Sequence, residues 1–371
     1  MQTRLQLLHS WTRQLQTLLP TERITRVRVL ALFSLALCWT TSTALIRLAA
    51  ALPLSAADLS TERRLRRWLA NSAVDVQTLW MPLLRALLAR CQGDELTLVF
   101  DPTNQTDRAT VAVLGLVVHR RALPLAWLVL PGQESWPLSL EEVLDRLCRQ
   151  VVTVLPSDCC VTLVADRAIP AVTLCNCCRP HGWHVVARLS ADANQGPLVR
   201  LVDGHECPVW DLVTGAGCRW QGTVQIFRSQ GWRTLELTIY WPHRYEQPWL
   251  LLSDRPAGQE RVNEYRRRTR IEATFQDCKR RGWNLEASKL AELERLDRLL
   301  LVVFLGLWWL TLLGLQVVRR GLRARYDRPD RRDLSVVRLG RRWLTDDRSP
   351  HRSPPLPFRL RARDWTCRWS F

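Results

Sequence analysis

ELTLVFD (95–101), ATVAVLGLVVH (109–119), RALPLAWLVLP (121–131), SLEEVLDRLCRQVVTVL (139–155) and CVTLVAD (160–166) follow one another within a chain of 371 residues. The first three segments are apolar, rich in β-branched residues and separated by short polar turns, which predicts three successive strands. The fourth begins with Ser139, carries Glu141 and Glu142 in its first turn and repeats Leu144, Leu147 and Val151 at helical spacing, which predicts a helix. The fifth is a strand again. Asp101 and Asp166 close the first and last strands of the series, each followed by polar residues (DPTNQTDR and DRAIP). A carboxylate there is cheap only at a solvent edge or beside a cation. For either residue alone, a turn or capping aspartate is the structural alternative.

Three strands, a helix and a fourth strand are the opening order of the RNase H-like α/β fold, in which the first and fourth strands lie parallel and adjacent. Neighbouring strands are about 4.8 Å apart, so two aspartates closing such a pair can share a cation. Before this core, residues 1–92 read as helical and basic, with a helix from Thr61 (TERRLRRWLAN) whose Arg63, Arg64, Arg66 and Arg67 form a positive ridge. Helix signals return at Ala171–Cys178. Residues 183–254 hold short strand-like pieces and Gly-rich turns, a β-rich insertion. A charged helix is expected from about Gln259 to Arg281, then an apolar helix, then a basic Pro-containing tail.

The balance of 53 Lys+Arg against 35 Asp+Glu leaves a formal charge of +18, which biases the surface toward a polyanion, nucleic acid first. Only Lys279 and Lys289 are lysines. In so arginine-rich a chain, a lysine points to a position that needs a compact ammonium. The 12 cysteines form no regular framework and follow no signal-peptide pattern, which suits a reducing cytoplasm. Cys175, Cys177 and Cys178 include one CxxC, near Cys159, Cys160 and His181, but no second CxxC at finger spacing; buried thiols are the better reading than zinc. Leu299–Val318 is apolar for 20 residues, long enough to cross a bilayer. A helix buried on all sides of an α/β domain has the same composition.

In NEYRRRTRIEATFQDCKRRGWNLE (263–286), Tyr265, Arg268, Glu272 and Lys279 have the spacing Y-x2-R-x3-E-x6-K. Offsets of 3, 7 and 14 return to nearly the same helix face, so the four side chains can converge on one substrate. A salt-bridged surface helix is the bland alternative. The spacing resembles the Y-R-E-K signature of the insertion-sequence-four family of bacterial DDE transposases at all four positions. The likeness runs over about residues 60–340 and includes LVFDPT, LVADRAI and SVVRLGRRWL.

That resemblance implies a transposase in which Asp101, Asp166 and Glu272 bind two divalent ions, Mg2+ normally with Mn2+ able to substitute, and are the catalytic residues. It implies that Tyr265, Arg268 and Lys279 hold backbone phosphates, and that a tryptophan of the insertion stacks on a flipped base, with Trp241 the first candidate and Trp232 the second. The apolar helix then belongs against the sheet rather than in a membrane. The organisation expected is a helical DNA-binding region (1–92), a first core part (93–182), the insertion (183–254), a second core part with the signature helix (255–325) and a basic tail (326–371). The partners expected are double-stranded DNA, as terminal inverted repeats and as target, and a second copy pairing two ends. The protein is expected in the bacterial cytoplasm, associated with the nucleoid. An RNase H-like nuclease without strand transfer and a non-catalytic DNA-binding relic are the rival readings.

Overall fold

The computed structural model describes residues 4–89, 91–106, 108–132, 135–190, 196–279, 282–288, 290 and 292–346; most of the basic tail, 347–371, lies outside them. Five helices come first: α1 (Arg4–Leu18), α2 (Ile24–Trp39), α3 (Leu45–Ala50), α4 (Asp58–Ala70) and α5 (Val76–Leu88). The core series follows as β1 (Glu95–Thr106), β2 (Ala109–Val118), β3 (Arg121–Pro131), α6 (Leu140–Val152) and β4 (Cys160–Ala165), then α7 (Ala171–Cys178) and β5 (His184–Arg188). The insertion contributes β6 (Leu198–Arg200), β7 (Glu206–Pro208), β8 (Arg219–Ile226) and β9 (Arg233–Tyr240), and β10 (Trp249–Ser253) returns to the core. The chain ends in helices α8 (Gln259–Arg266), α9 (Thr269–Cys278), α10 (Leu293–Arg319), α11 (Arg323–Tyr326) and α12 (Val336–Thr345).

The fold is α/β, with flanking helices on one large mixed sheet of order β3-β2-β1-β4-β5-β10-β9-β8-β6-β7. Its first four strands have the predicted arrangement, with β1 parallel to β4. Two expectations change. His184–Arg188, read from sequence as part of the insertion, is the fifth core strand, parallel to β4 from Thr162↔His184 to Ala165↔Ala187. The rest of the insertion extends the core sheet, because β10 pairs antiparallel with β5 on one edge and with β9 on the other. Between the strands, α6 starts with the capping box its sequence suggests: the Glu142 amide donates to Ser139 Oγ (3.2 Å) and the Ser139 amide to Glu142 Oε2 (2.7 Å).

The apolar helix α10 is the centre of the molecule. By length and composition it could cross a membrane, yet 89% of its apolar window is buried. It touches α2, α4, α5, α12 and β3. Several polar groups on these elements find partners within the protein, as burial requires. The Arg298 guanidinium donates to the carbonyls of Val74 (3.0 Å) and Leu69 (2.9 Å), closing the end of α4. Trp127 on β3 donates to Asp297 at 2.6 Å, and burial lifts the Asp297 carboxyl to about 6 against that hydrogen bond. The β2–β3 register slips between Leu114↔Ala126 and Gly115↔Pro124, leaving Leu125 as a bulge. Indole N–H groups take the carbonyls that the bulge turns outward: Trp80 donates to Leu125 (2.6 Å) and Trp308 to Pro124 (2.8 Å).

α10 and α12 cross at backbone contact. A Cβ on Gly340 would lie 1.9 Å from the Leu310 carbonyl oxygen, and one on Gly314 1.8 Å from that of Val336. Gly340→Ala should therefore push α12 off α10 and destabilise the protein by roughly 1–3 kcal/mol or more. A thermal melt reads this directly, and an unchanged Tm would show that the two backbones are not in contact.

Candidate active site

The parallel pairing of β1 with β4 runs from Glu95↔Cys160 to Phe100↔Ala165, so Asp101 and Asp166 are the next positions on two adjacent strands. Asp101 is not the end of its strand, as the sequence suggests. Antiparallel pairing to β2 (Asp101↔Val113, Thr103↔Val111) carries β1 on to Thr106, so Asp101 marks an end only on the β4 side. β4 does stop there. The chain turns as the Ile169 amide donates to the Asp166 carbonyl (2.9 Å) and the Arg167 amide to Asp166 Oδ1 (2.7 Å).

The third acid arrives from α9, and the single helix expected over 259–281 is two. Between α8 and α9 the amides of Arg267, Arg268, Arg270 and Ile271 donate to carbonyls three residues back, at 2.9, 2.9, 3.1 and 3.2 Å. This tightening bends the chain at Arg267–Arg268. A second break follows α9, where Lys279 leaves the helix with φ −86° and ψ −147°. One unbroken helical stripe therefore does not exist.

The four signature residues nevertheless reach the same place. Arg268 points its guanidinium between all three acids: 2.9 Å to Asp166, 3.7 Å to Asp101, and in a close ion pair with Glu272 one turn on. The Tyr265 hydroxyl donates to Asp166 Oδ1 at 3.1 Å. Lys279 Nζ donates to Thr103 Oγ1 (3.1 Å) and to the Asn104 carbonyl, just beyond Asp101 on β1. The acid side chains are 18% (Asp101), 26% (Asp166) and 47% (Glu272) exposed, so the cluster opens to solvent on the Glu272 side and a polymer can approach it.

Burial pushes the Asp101 carboxyl up to about 6; Arg268 opposes this, Asp166 and Glu272 add to it, and Lys279 opposes it more weakly. Burial, reinforced by Asp166, pushes the Tyr265 phenol up to about 12, so its hydroxyl remains a donor. Burial lowers the Lys279 ammonium, with Glu286 countering. Among the described residues, no three His, Cys, Asp or Glu side chains stand together as a ready-made metal centre; the three acids meet through Arg268. The α7 cysteines have thiols raised by burial, Cys175 to about 11 and Cys177 to about 12, and stay protonated at neutral pH.

Beside the acids stands an aromatic wall that sequence reasoning missed. The ring of Trp249 meets Tyr265 edge-on at 4.9 Å and Tyr245 at 5.0 Å, and the Arg188 guanidinium lies 6.0 Å from the Tyr265 ring. Trp249 opens β10 next to the core, a placement that no local signal in the sequence marks. Trp241 joins this wall through Tyr245, its indole donating to the Tyr245 carbonyl (2.8 Å), and its ring lies 6.1 Å from Trp210. Trp232 lies under the Arg200 guanidinium at 4.3 Å. A second missed residue, Arg267, donates to Thr97 Oγ1 at 2.7 Å and so ties the α8–α9 bend to β1.

No protein-family model matches the chain, and no curated protein matches it. Among solved structures, the chain is similar to a piggyBac transposase synaptic complex with hairpin DNA, at 12% identity and a TM-score of 0.44, over 92% of this chain and 79% of that chain. At that distance the likeness says nothing of what the site does.

Arg268→Met removes the cation shared by three acids, and the expected loss is roughly 1–3 kcal/mol at neutral pH. Without Arg268 the Asp101 pKa rises further in the folded protein, so the deficit should grow as pH rises above about 6 and shrink as Asp101 takes up its proton below it. Melts of both proteins from pH 5 to 8 test this. A deficit independent of pH would mean that Arg268 does not hold Asp101 in its charged form.

Proposed function

We propose that this chain is a DNA transposase that cuts DNA ends and joins them to target DNA, with Asp101, Asp166 and Glu272 as its catalytic carboxylates. One observation carries the reading: carboxylates from β1, from the end of β4 and from α9 converge on a single cationic group. The Y-R-E-K spacing, with its likeness to the insertion-sequence-four family, narrows it from a phosphoryl-transfer site to a transposase.

The donor set suits Mg2+ or Mn2+, since it is all carboxylate oxygen and already gathers around positive charge. Asp101, Asp166 and Glu272 would hold the ions once Arg268 swings out. When bound, two such ions supply activation of the attacking water or 3′-hydroxyl and stabilisation of the leaving oxygen.

The chain's own residues do the positioning. Tyr265, which stays protonated, holds the Asp166 carboxylate by its hydroxyl. Arg268, released from the acids, has a planar fork matched to a phosphate of the bound strand. Lys279 stands beside Asp101 on the same rim and supplies a compact charge to the neighbouring phosphate. The substrate is double-stranded DNA, transposon end and target, with two copies of the chain pairing two ends in the bacterial cytoplasm.

Labelled duplexes taken from DNA flanking the coding sequence, mixed with a plasmid target and Mg2+, test the reading. Strand-joined product is expected. Cleavage without joining would leave an RNase H-like nuclease, and binding without either would leave a DNA-binding relic. Glu272→Ala should abolish Mg2+-dependent cleavage and leave duplex binding nearly intact; equal loss of both would remove Glu272 from the chemistry.

A further inference from the structure

The β2–β3 hairpin turns at the end of the sheet away from the acids, with His119 in the left-handed region at φ 55°. His119, Arg120 and Arg121 form one wall of a cavity of about 390 Å³. The other walls come from Val318 at the end of α10, Arg323 on α11, and residues 332–336 leading into α12.

The lining is cationic and held in place. Arg121 is fixed by Asp277 (2.6 Å) on α9; Arg323 is fixed by Asp327 (2.7 Å) and by the Leu334 carbonyl (2.8 Å). Arg120 and Arg332 are exposed, and Arg120 has no ion pair among the described residues. The one carboxylate on the wall is Asp333, which pairs with Arg331 at 2.7 Å. His119 Nδ1 and Arg323 Nε are buried with no hydrogen-bond partner, which is costly for polar atoms. Burial, then Arg120, Arg270, Arg323 and Arg121, hold the His119 imidazole down at about 4, so it is neutral at pH 7 and can offer one N–H without adding charge. Converging arginines, orphaned nitrogens and a polar cavity fit a tetrahedral oxyanion with several acceptor oxygens.

Position identifies the source of that oxyanion. Asp101 pairs with Val113, and His119 follows the end of that strand, in the turn. At about 3.3 Å per residue the pocket is no more than about 20 Å along the sheet from the acids. That matches about six phosphates of a DNA strand at 3.4 Å each. We propose that this pocket binds a backbone phosphate of the DNA substrate, about six nucleotides from the bond held at the acids, and so sets the direction in which the duplex leaves the site. The proposal rests on the DNA reading of the acid cluster.

Arg120→Ala with Arg332→Ala tests it, because both side chains are exposed and neither closes the core. Binding of a labelled 30-base-pair duplex is measured by anisotropy in Ca2+ over a salt series, beside wild type and Arg149→Ala, which removes an exposed charge from α6. The double variant should keep the wild-type Tm, bind several-fold more weakly, and show a salt slope shallower by about one. Arg149→Ala should change neither affinity nor slope. Wild-type binding with an unaltered double variant overturns the pocket alone, as does equal weakening by Arg149→Ala. Failure of wild type to bind the duplex overturns the DNA reading beneath it. If polyglutamate competes as well as DNA and loses as much on the double variant, the pocket serves an acidic protein partner and the proposal falls. Should the double variant unfold, Arg120→Gln alone must show the weaker binding and shallower slope, or the proposal falls.

Discussion

Carboxylates of like charge cannot sit side by side at the edge of a sheet unless positive charge is brought to them. The parallel pairing of β1 and β4 stops one residue short of Asp101 and Asp166, leaving both side chains on adjacent strands. α9 adds Glu272 to the same spot. Arg268 resolves the conflict from the first residues after α8, and the bend there is what allows it. An unbroken helix would present Tyr265, Arg268 and Glu272 along one straight face; the tightened turn at Arg267–Arg268 lets Tyr265 reach down to Asp166 while Arg268 reaches across. In the proposed reaction the same arginine is the hand-over point, because a cation that neutralises acids in one state can grip phosphate in another.

A long apolar helix gathers the helices behind this sheet. α10 is too hydrophobic to face water, and the helices α2, α4, α5 and α12 together with β3 cover it. The glycine contacts at 314 and 340 bring α12 to backbone distance. That close docking carries the Arg-rich segment 323–332 up against the β2–β3 hairpin and forms the walls of the cationic cavity. Arginines thus collect around the hairpin end of the sheet, while at the other end Arg268 stands among the three acids.

Local patterns carried much of this outcome. Strand alternation, the Ser139–Glu142 capping box and the two aspartates after apolar runs gave the strand and helix order of the core, and β1 lies beside β4 as that order requires. The spacing of Tyr265, Arg268, Glu272 and Lys279 marks residues that do meet, although no single helical stripe carries them. Their meeting depends on a bend set by Arg267 on Thr97 and Arg268 on the acids, partners far away in sequence.

The sequence by itself determined which elements form, in what order, and which charged residues stand at their ends, because periodicity, capping and spacing act over a few residues. Only the tertiary structure decided that the insertion extends the core sheet, that Trp249 packs against Tyr265 beside the acids, that α10 is covered by helices and sheet, and where the arginines collect. Each of these depends on contacts between segments tens to hundreds of residues apart, such as Arg121 with Asp277 or Trp127 with Asp297, and only packing chooses such partners.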